Sequence, residues 1–162
     1  MSGIEQRVVR RVVSGGQTGV DRGALDAAIA LGIEHGGWCP KGRLAEDGII
    51  PHRYTLRETS VAEYPVRTEQ NVLDSDGTLI LFRGALQGGT ELTFRLAQRH
   101  HKPHLLMDLA GEIDVEGLTR WLLEHQIRTL NVAGPRESSA PGICEETRRL
   151  LQKALFGVAA PS

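Results

Sequence analysis

Aromatic residues make up only 4% of this 162-residue chain, so a pocket that grips its ligand mainly by stacked rings is not expected. Cysteine is nearly absent. Cys39 and Cys144 stand far apart with no CxxC pair, which excludes a disulfide framework and makes a reducing cytoplasm the expected compartment. Excess positive charge is missing as well: 19 Lys and Arg face 20 Asp and Glu. No basic field therefore advertises nucleic acid. No stretch approaches the roughly 20 apolar residues of a membrane span. No apolar run follows the first charges, so no signal peptide is expected. The familiar nucleotide motifs are absent too. Gly15-Gly16-Gln17-Thr18-Gly19 has no Lys-Ser/Thr to engage phosphates and magnesium, and it does not fit GxGxxG. No HExxH and no Ser-His-Asp order occurs.

Glycine, by contrast, is plentiful at 19 residues, which favours tight turns and close backbone approach. Five short apolar runs read as strands: Val8–Val13, Ile33–Trp38, Thr78–Phe82, His104–Asp108 and Thr129–Val132. Helical patterns over Gly19–Leu31, Arg67–Ser75, Gly89–His100, Val115–Gln126 and Gly142–Phe156 separate most of them. That alternation predicts one α/β domain over residues 1–162, a three-layer α/β/α sandwich with a mainly parallel sheet of five strands. Pro40–Pro65 has no clear period, and loops that long are usually functional or mobile. The tail Val158–Ser162 is expected to fray.

In an open parallel sheet, ligands bind beyond the carboxyl ends of the strands, near the point where strand order reverses. Four loops follow strands here. Ser14–Gly19 opens the first helix, Arg83–Thr90 another and Ala133–Gly142 the last, while Cys39–Arg43 follows the second strand. They carry Lys41, Arg43, Arg83 and Arg136 to one crevice, an arrangement that focuses an anion. The start of the helix near Arg67, Thr68 and Asn71 borders the same crevice. Gly15, Gly16, Gln17, Thr18 and Gly19 are the expected main oxyanion nest, and Gly88, Gly89 and Thr90 a second. Arg83 and Arg136 are expected to neutralise the ligand, with Ser138 nearby, while Lys41 and Arg43 close over it. Ser75-Asp76-Gly77 precedes its strand and reads as a far-edge turn.

Several residues carry two readings. Asp21 either acts on the ligand as a base or positioner, or complements the helix dipole. Arg22 reaches the anion or lies on the surface. Trp38 stacks on a planar ligand or fills the core. Glu46, Asp47 and Glu58 are acid/base groups of a lid or solvated loop charge. Cys39 reads as an inert buried thiol. His100 and His101 are neighbours at a helix end that would point apart, and His104 begins the next strand, so they read as cationic helix-end residues and a strand start rather than a metal cluster. His35 and His52 lack partners at ligand spacing, and no separate metal site is expected.

Ser14-Gly15-Gly16-Gln17-Thr18-Gly19-Val20-Asp21-Arg22-Gly23-Ala24-Leu25-Asp26 resembles the signature of the molybdenum carrier family, a circularly permuted branch of a Rossmann-like group. Gly37-Trp38-Cys39-Pro40-Lys41-Gly42-Arg43-Leu44-Ala45-Glu46-Asp47-Gly48 is similar to its second block. Arg67–Val72, Ser75–Thr78, Gly88–Thr90 and Gly134–Ser138 continue the resemblance in order. The resemblance implies a Rossmann-like fold and molybdenum cofactor, a phosphorylated pterin with a molybdenum-oxo head, as bound cargo. It also implies a homo-oligomer, dimer or tetramer, and a molybdoenzyme recipient. The wider group includes the cytokinin-activating "lonely guy" proteins and the DNA-processing protein of natural transformation. The former cleave nucleoside monophosphates with the motif Gly-Gly-x-Gly-Thr-x-x-Glu. Aligned on Gly89-Thr90, this chain has Thr93 where that acid should stand, and Glu91 two positions early. The expectation is a carrier of an anionic, phosphorylated heterocycle. The alternatives are a nucleoside monophosphate hydrolase, with Asp21 or Glu137 as its carboxylate, and a nucleotide sensor.

Overall fold

The β-branched run ahead of the first glycine loop forms β1 (Arg11–Val13), and the Ala- and Leu-rich stretch behind it forms α1 (Val20–Leu31). The computed structural model describes residues 9–159. Val8, placed in the first strand from its sequence, and residues 160–162 of the tail lie outside the described residues. Next come β2 (Glu34–Gly36) and four two-residue strands: β3 (Trp38–Cys39), β4 (Leu44–Ala45), β5 (Gly48–Ile49) and β6 (Arg57–Glu58). The second half runs α2 (Tyr64–Leu73), β7 (Gly77–Phe82), α3 (Gly88–Arg99), β8 (His104–Asp108), α4 (Val115–Glu124), β9 (Thr129–Ala133) and α5 (Ile143–Ala159). The last helix runs further than its apolar stripe suggested, through Val158 and Ala159.

The main sheet has the order β2-β1-β9-β7-β8, with every pairing parallel. This is the five-stranded α/β/α sandwich that alternation predicted, with the Rossmann-like fold that the resemblance implied. The chain leaves β1 toward β2 on one side and β7 toward β8 on the other. Strand β9 returns to lie between them, so the order reverses at β1, β9 and β7. On one face, α1, α4 and α5 cover the sheet through Val20, Ala24, Leu118, Trp121, Leu122 and Leu151, all buried against Val12, Leu79, Leu81, Leu130 and Val132. On the other, α2 and α3 join through Val72, Leu96 and Ala97.

The segment Pro40–Pro65 is a built unit rather than a loose loop. Strand β3 pairs with β6 in parallel, and β4 with β5 as an antiparallel hairpin. Ala45, Ile50 and Tyr54 are buried in a small core with Leu25 and Cys39. Burial beside Asp26, which accepts a 2.7 Å bond from the Tyr54 hydroxyl, pushes that phenol up to about 12. At the opposite edge of the main sheet, the Asp76 carboxylate accepts the amides of Arg128 and Thr129 at 3.0 and 2.8 Å. It therefore acts in a turn far from the carboxyl ends.

Candidate functional site

A cavity of about 750 Å³ lies over the carboxyl ends of β1, β9 and β7, where strand order reverses. Its walls come from the first glycine loop and Asp21, the start of α2, the Arg83–Thr93 segment, and the loop after β9. Among the sites expected from sequence, Gly15, Gln17, Asp21, Arg83, Gly88, Gly89, Thr90 and Arg136 line it. Gly16, Thr18, Gly19, Lys41, Arg43 and Ser138 do not.

The first glycine loop is occupied by its own protein. The Gly16 amide points to Ser14 Oγ at 3.4 Å, Gln17 to Asp21 Oδ2 at 3.1 Å, and Thr18 to its neighbour Gln17 Oε1 at 3.0 Å. The Val20 amide donates to the Pro135 carbonyl at 3.2 Å. Most of the amides expected to form the main oxyanion nest are thus bonded within the protein, while among the described residues the Gly19 amide has no partner. A carboxylate four residues past Gln17 has folded back into the loop. Gly19 also stands at φ 82°, and a Cβ there would collide with the carbonyl of Pro135 and the backbone of Arg136 and Glu137. Glycine is needed at that point for loop-to-loop packing.

The helix after β9 is closed in the same manner. Glu137 accepts the amides of Gly142 at 2.6 Å and Cys144 at 3.0 Å, capping α5 with a negative charge. Glu137 is therefore spent on structure and does not line the cavity.

The third helix start differs. The N-cap of α3 is Gln87, whose side chain makes no capping bond. Among the described residues the Gly88 and Gly89 amides have no hydrogen-bond partner, and a Cβ on either glycine would meet nothing within 4 Å. Orphan donors at the positive end of a helix thus open onto the cavity. Beside them Thr90 is 7% exposed. Thr93 lines the cavity and donates to the Gly89 carbonyl at 2.9 Å. Glu91 pairs with Arg95 instead.

The cations divide by how much of their hydrogen-bonding capacity is spent. Arg83 bridges to the Pro141 carbonyl at 2.8 Å and to Glu146 at 2.9 Å, tying the loop after β7 to α5. Arg136 is exposed at the rim, and its side chain has no partner among the described residues. Arg43, expected to close over the ligand, turns into its own loop. It donates to the carbonyls of Ile50, Pro51, Tyr54 and Leu56 at 3.0–3.4 Å. Lys41 is exposed and outside the cavity walls.

Glu46, Asp47 and Glu58 of the Pro40–Pro65 unit are exposed, and each is hydrogen-bonded within the protein. Glu46 accepts the hydroxyls of Thr18 and Ser138, which hold its carboxyl below the usual range. Asp47 takes both ends of the Arg22 guanidinium at 2.5 and 2.7 Å. Arg22 Nε also donates to the Gly16 carbonyl, at 3.0 Å. Glu58 accepts the Gly42 amide. Together these bonds clamp the hairpin to the first glycine loop and to the loop after β9. Trp38 lies outside the cavity, donating to Asp74 and covered by the Arg57 guanidinium at 4.3 Å.

Two residues take on more weight than their sequence positions suggested. Asp21 is 7% exposed, and burial raises its carboxyl to about 6 although Arg67 and the amides of Gln17 and Gly15 pull the other way. Arg67 reaches in from α2, donates to the Gly15 carbonyl at 2.6 Å, and comes within 3.9 Å of Asp21. A Cβ on Gly15 would displace the Arg67 guanidinium, which lies where that atom would be. Asn71, the other residue placed at the edge of α2, lines the cavity while exchanging two bonds with the backbone of Trp38. Among the described residues no group of three or more His, Cys, Asp or Glu could hold a metal ion. His100 pairs with Glu69. No helix among those residues is long and apolar enough to cross a membrane.

A crystal structure of a putative molybdenum carrier protein from Syntrophus aciditrophicus SB matches this fold with a TM-score of 0.87. The two chains are 47% identical over 92% of this chain and 96% of that one. No curated protein matches the chain. Residues 12–155 fit the circularly permutated YpsA SLOG family, and the chain belongs to that family.

Proposed function

We propose that the cavity receives an anionic, phosphorylated heterocycle, with molybdenum cofactor as the best-fitting cargo, and that the protein carries it. The observation that carries this reading is the contrast among the helices entering from β1, β7 and β9. Glu137 caps α5 and Asp21 fills the glycine loop before α1, while α3 keeps the amides of Gly88 and Gly89 open to the cavity. An oxyanion seated there meets two backbone donors and the helix dipole, with Thr90 beside it and Arg136 at the rim. The volume suits a ligand larger than free molybdate or phosphate. The name of the Syntrophus relative favours a molybdenum-bearing cargo, and delivery to a molybdoenzyme would be the corresponding role. Assembly as a dimer or tetramer and a cytoplasmic location belong to the same proposal.

Mass spectrometry of the freshly purified protein, before any step that strips small molecules, tests the cargo directly. Added molybdenum cofactor at a hundred times its dissociation constant should stabilise the fold by about 2.7 kcal/mol. For a chain of this size that raises the melting temperature by about 5–11 °C. No rise at saturating cofactor would end the carrier reading.

One observation favours a second reading. Asp21 is a buried carboxyl on the cavity wall whose pKa lies at about 6, suited to acid–base work near neutrality. A nucleoside monophosphate hydrolase would use it to assist cleavage of the N-glycosidic bond. Base released from nucleoside monophosphates by the native protein, and lost in Asp21→Asn, would replace the carrier reading.

A further inference from the structure

One wall of the cavity carries an acceptor and a donor that do not satisfy one another. Asp21 and Arg67 have side chains 10% and 11% exposed, and their nearest atoms stand 3.9 Å apart, too far for a hydrogen bond. The guanidinium spends Nη1 on the Gly15 carbonyl at 2.6 Å and Nε on Thr68 Oγ1 at 3.3 Å. Its Nη2 has no partner among the described residues. The carboxylate receives the amides of Gln17 and Gly15. A carboxylate offers about four lone-pair positions, so acceptor capacity remains. Both residues line the cavity. A largely buried wall with unspent capacity of both signs discriminates, because a ligand that covers it without matching leaves those polar groups unpaired.

An acceptor beside a donor complements a ring edge that presents N–H next to C=O. A 2-amino-4-oxo heterocycle, the pattern shared by guanine and pterin, presents two adjacent N–H donors and then a carbonyl. Both donors can fall on one carboxylate while the carbonyl faces the guanidinium. Adenine presents one donor and a ring nitrogen, and so uses half of the carboxylate. The walls between this pair and the α3 start include Leu92, Val132 and Pro135, suited to the faces of a flat ring.

We propose that Asp21 and Arg67 are the specificity-determining residues of the cavity, and that they select 2-amino-4-oxo heterocycles by reading that edge. This rests on the reading of the cavity as a site for phosphorylated heterocycles. The test is calorimetric titration of the full chain at pH 7.5 with GMP, IMP and AMP, and with a pterin monophosphate against its lumazine analogue. IMP and the lumazine analogue lack the 2-amino group, so the comparison probes the carboxylate without altering the protein. Each 2-amino ligand should bind about tenfold or more tighter than its counterpart, and GMP about a hundredfold tighter than AMP. In Asp21→Asn that preference should collapse to within about threefold. Arg67→Gln should weaken GMP and IMP alike, since both keep the carbonyl. Equal binding of GMP, IMP and AMP, together with equal binding of the two pteridines, would overturn the edge-reading proposal while leaving the phosphorylated-heterocycle reading intact. Binding of none of the five would overturn both.

Discussion

Two glycine-rich turns open helices on the same edge of the sheet, and they differ in the fate of their amides. In the first turn the amides of Gly16, Gln17 and Thr18, and that of Val20 at the helix start, are answered by Ser14, Asp21, Gln17 and Pro135, which leaves Gly19 as that turn's one donor without a partner among the described residues. In the turn before α3, those of Gly88 and Gly89 face open space. Both have the composition that holds oxyanions at helix starts. Composition decides that the backbone can expose its donors, and what the donors meet is decided by tertiary packing. A glycine run is therefore evidence of a binding loop only after its hydrogen bonds have been followed to their partners.

The sharpest way to break this comparison is to add one methyl group to each loop. Gly19→Ala forces a Cβ into the backbone of Pro135–Glu137 at a positive φ. It should cost about 3 kcal/mol or more, lowering the melting temperature by about 6–12 °C. Gly89→Ala meets nothing and lies in the first turn of α3. Its melting temperature should stay level or rise by a degree or two, since alanine reduces the freedom of the unfolded chain. Equal losses in the two variants would show that both loops are structural.

The contrast was only half legible in the sequence. The β-branched run before Ser14 and the alternation of apolar runs with helical patterns located all five strands of the main sheet, most clearly β1, β7 and β9, whose side chains are largely buried. Strands β4 to β6 left none, since two residues have no period, and Trp38 of β3 reads as the end of the second strand although β3 pairs in a separate sheet with β6. The crevice also followed from sequence, because parallel strands send their carboxyl ends to one edge. Asp21 folding back onto Gln17 did not follow, nor did Glu137 capping α5. Such bonds depend on loop geometry that spacing does not specify. Arg67 was placed at the edge of the site from its position near a helix start, yet its closeness to Asp21 needed the packing of α2 beside the first loop.

A second pair of residues divides along the same line. Lys41 and Arg43 look alike in sequence as cations of one loop, but only Arg43 has its charge bound to carbonyls. Arg43→Ala leaves partly buried acceptors of Ile50, Pro51, Tyr54 and Leu56 unanswered. It should cost about 2 kcal/mol, measured by urea unfolding with an unchanged m-value. Lys41→Ala should stay within about 0.5 kcal/mol. A large effect at Lys41 with none at Arg43 would invert the assignment.

Charge placed at the open helix start sharpens the comparison on the side of binding. Gly89→Asp introduces a carboxylate where α3 offers its donors, a substitution that favours the helix and opposes an anionic ligand. Affinity for a phosphorylated ligand should fall about tenfold or more, equivalent to about 1.4 kcal/mol, with no loss of melting temperature. An unchanged affinity would move the phosphate away from α3. It would return attention to the first loop, where Asp21 would then have to yield.

The smallest expected effect concerns Asp21 itself and depends on a sign. Burial raises its carboxyl from 3.8 to about 6 in the folded protein, so the folded state holds this proton more tightly than the unfolded chain. The stability it contributes is complete below the unfolded value and is lost as pH rises through the folded one. Acidifying from pH 7 to pH 5 should therefore stabilise the native protein by about 1 kcal/mol through this group. Carboxyls held below their usual range, such as Glu46, Asp47 and Asp108, contribute with the opposite sign as pH falls. The difference between native protein and Asp21→Asn isolates the one group, since the asparagine has no proton to gain. Chemical unfolding at the two pH values should show the native protein gaining stability relative to the variant. A relative loss would mean that Arg67 and the two amides outweigh burial. Asp21 would then be a fixed structural anion filling a nest, rather than a carboxylate whose remaining acceptor capacity a ligand can use.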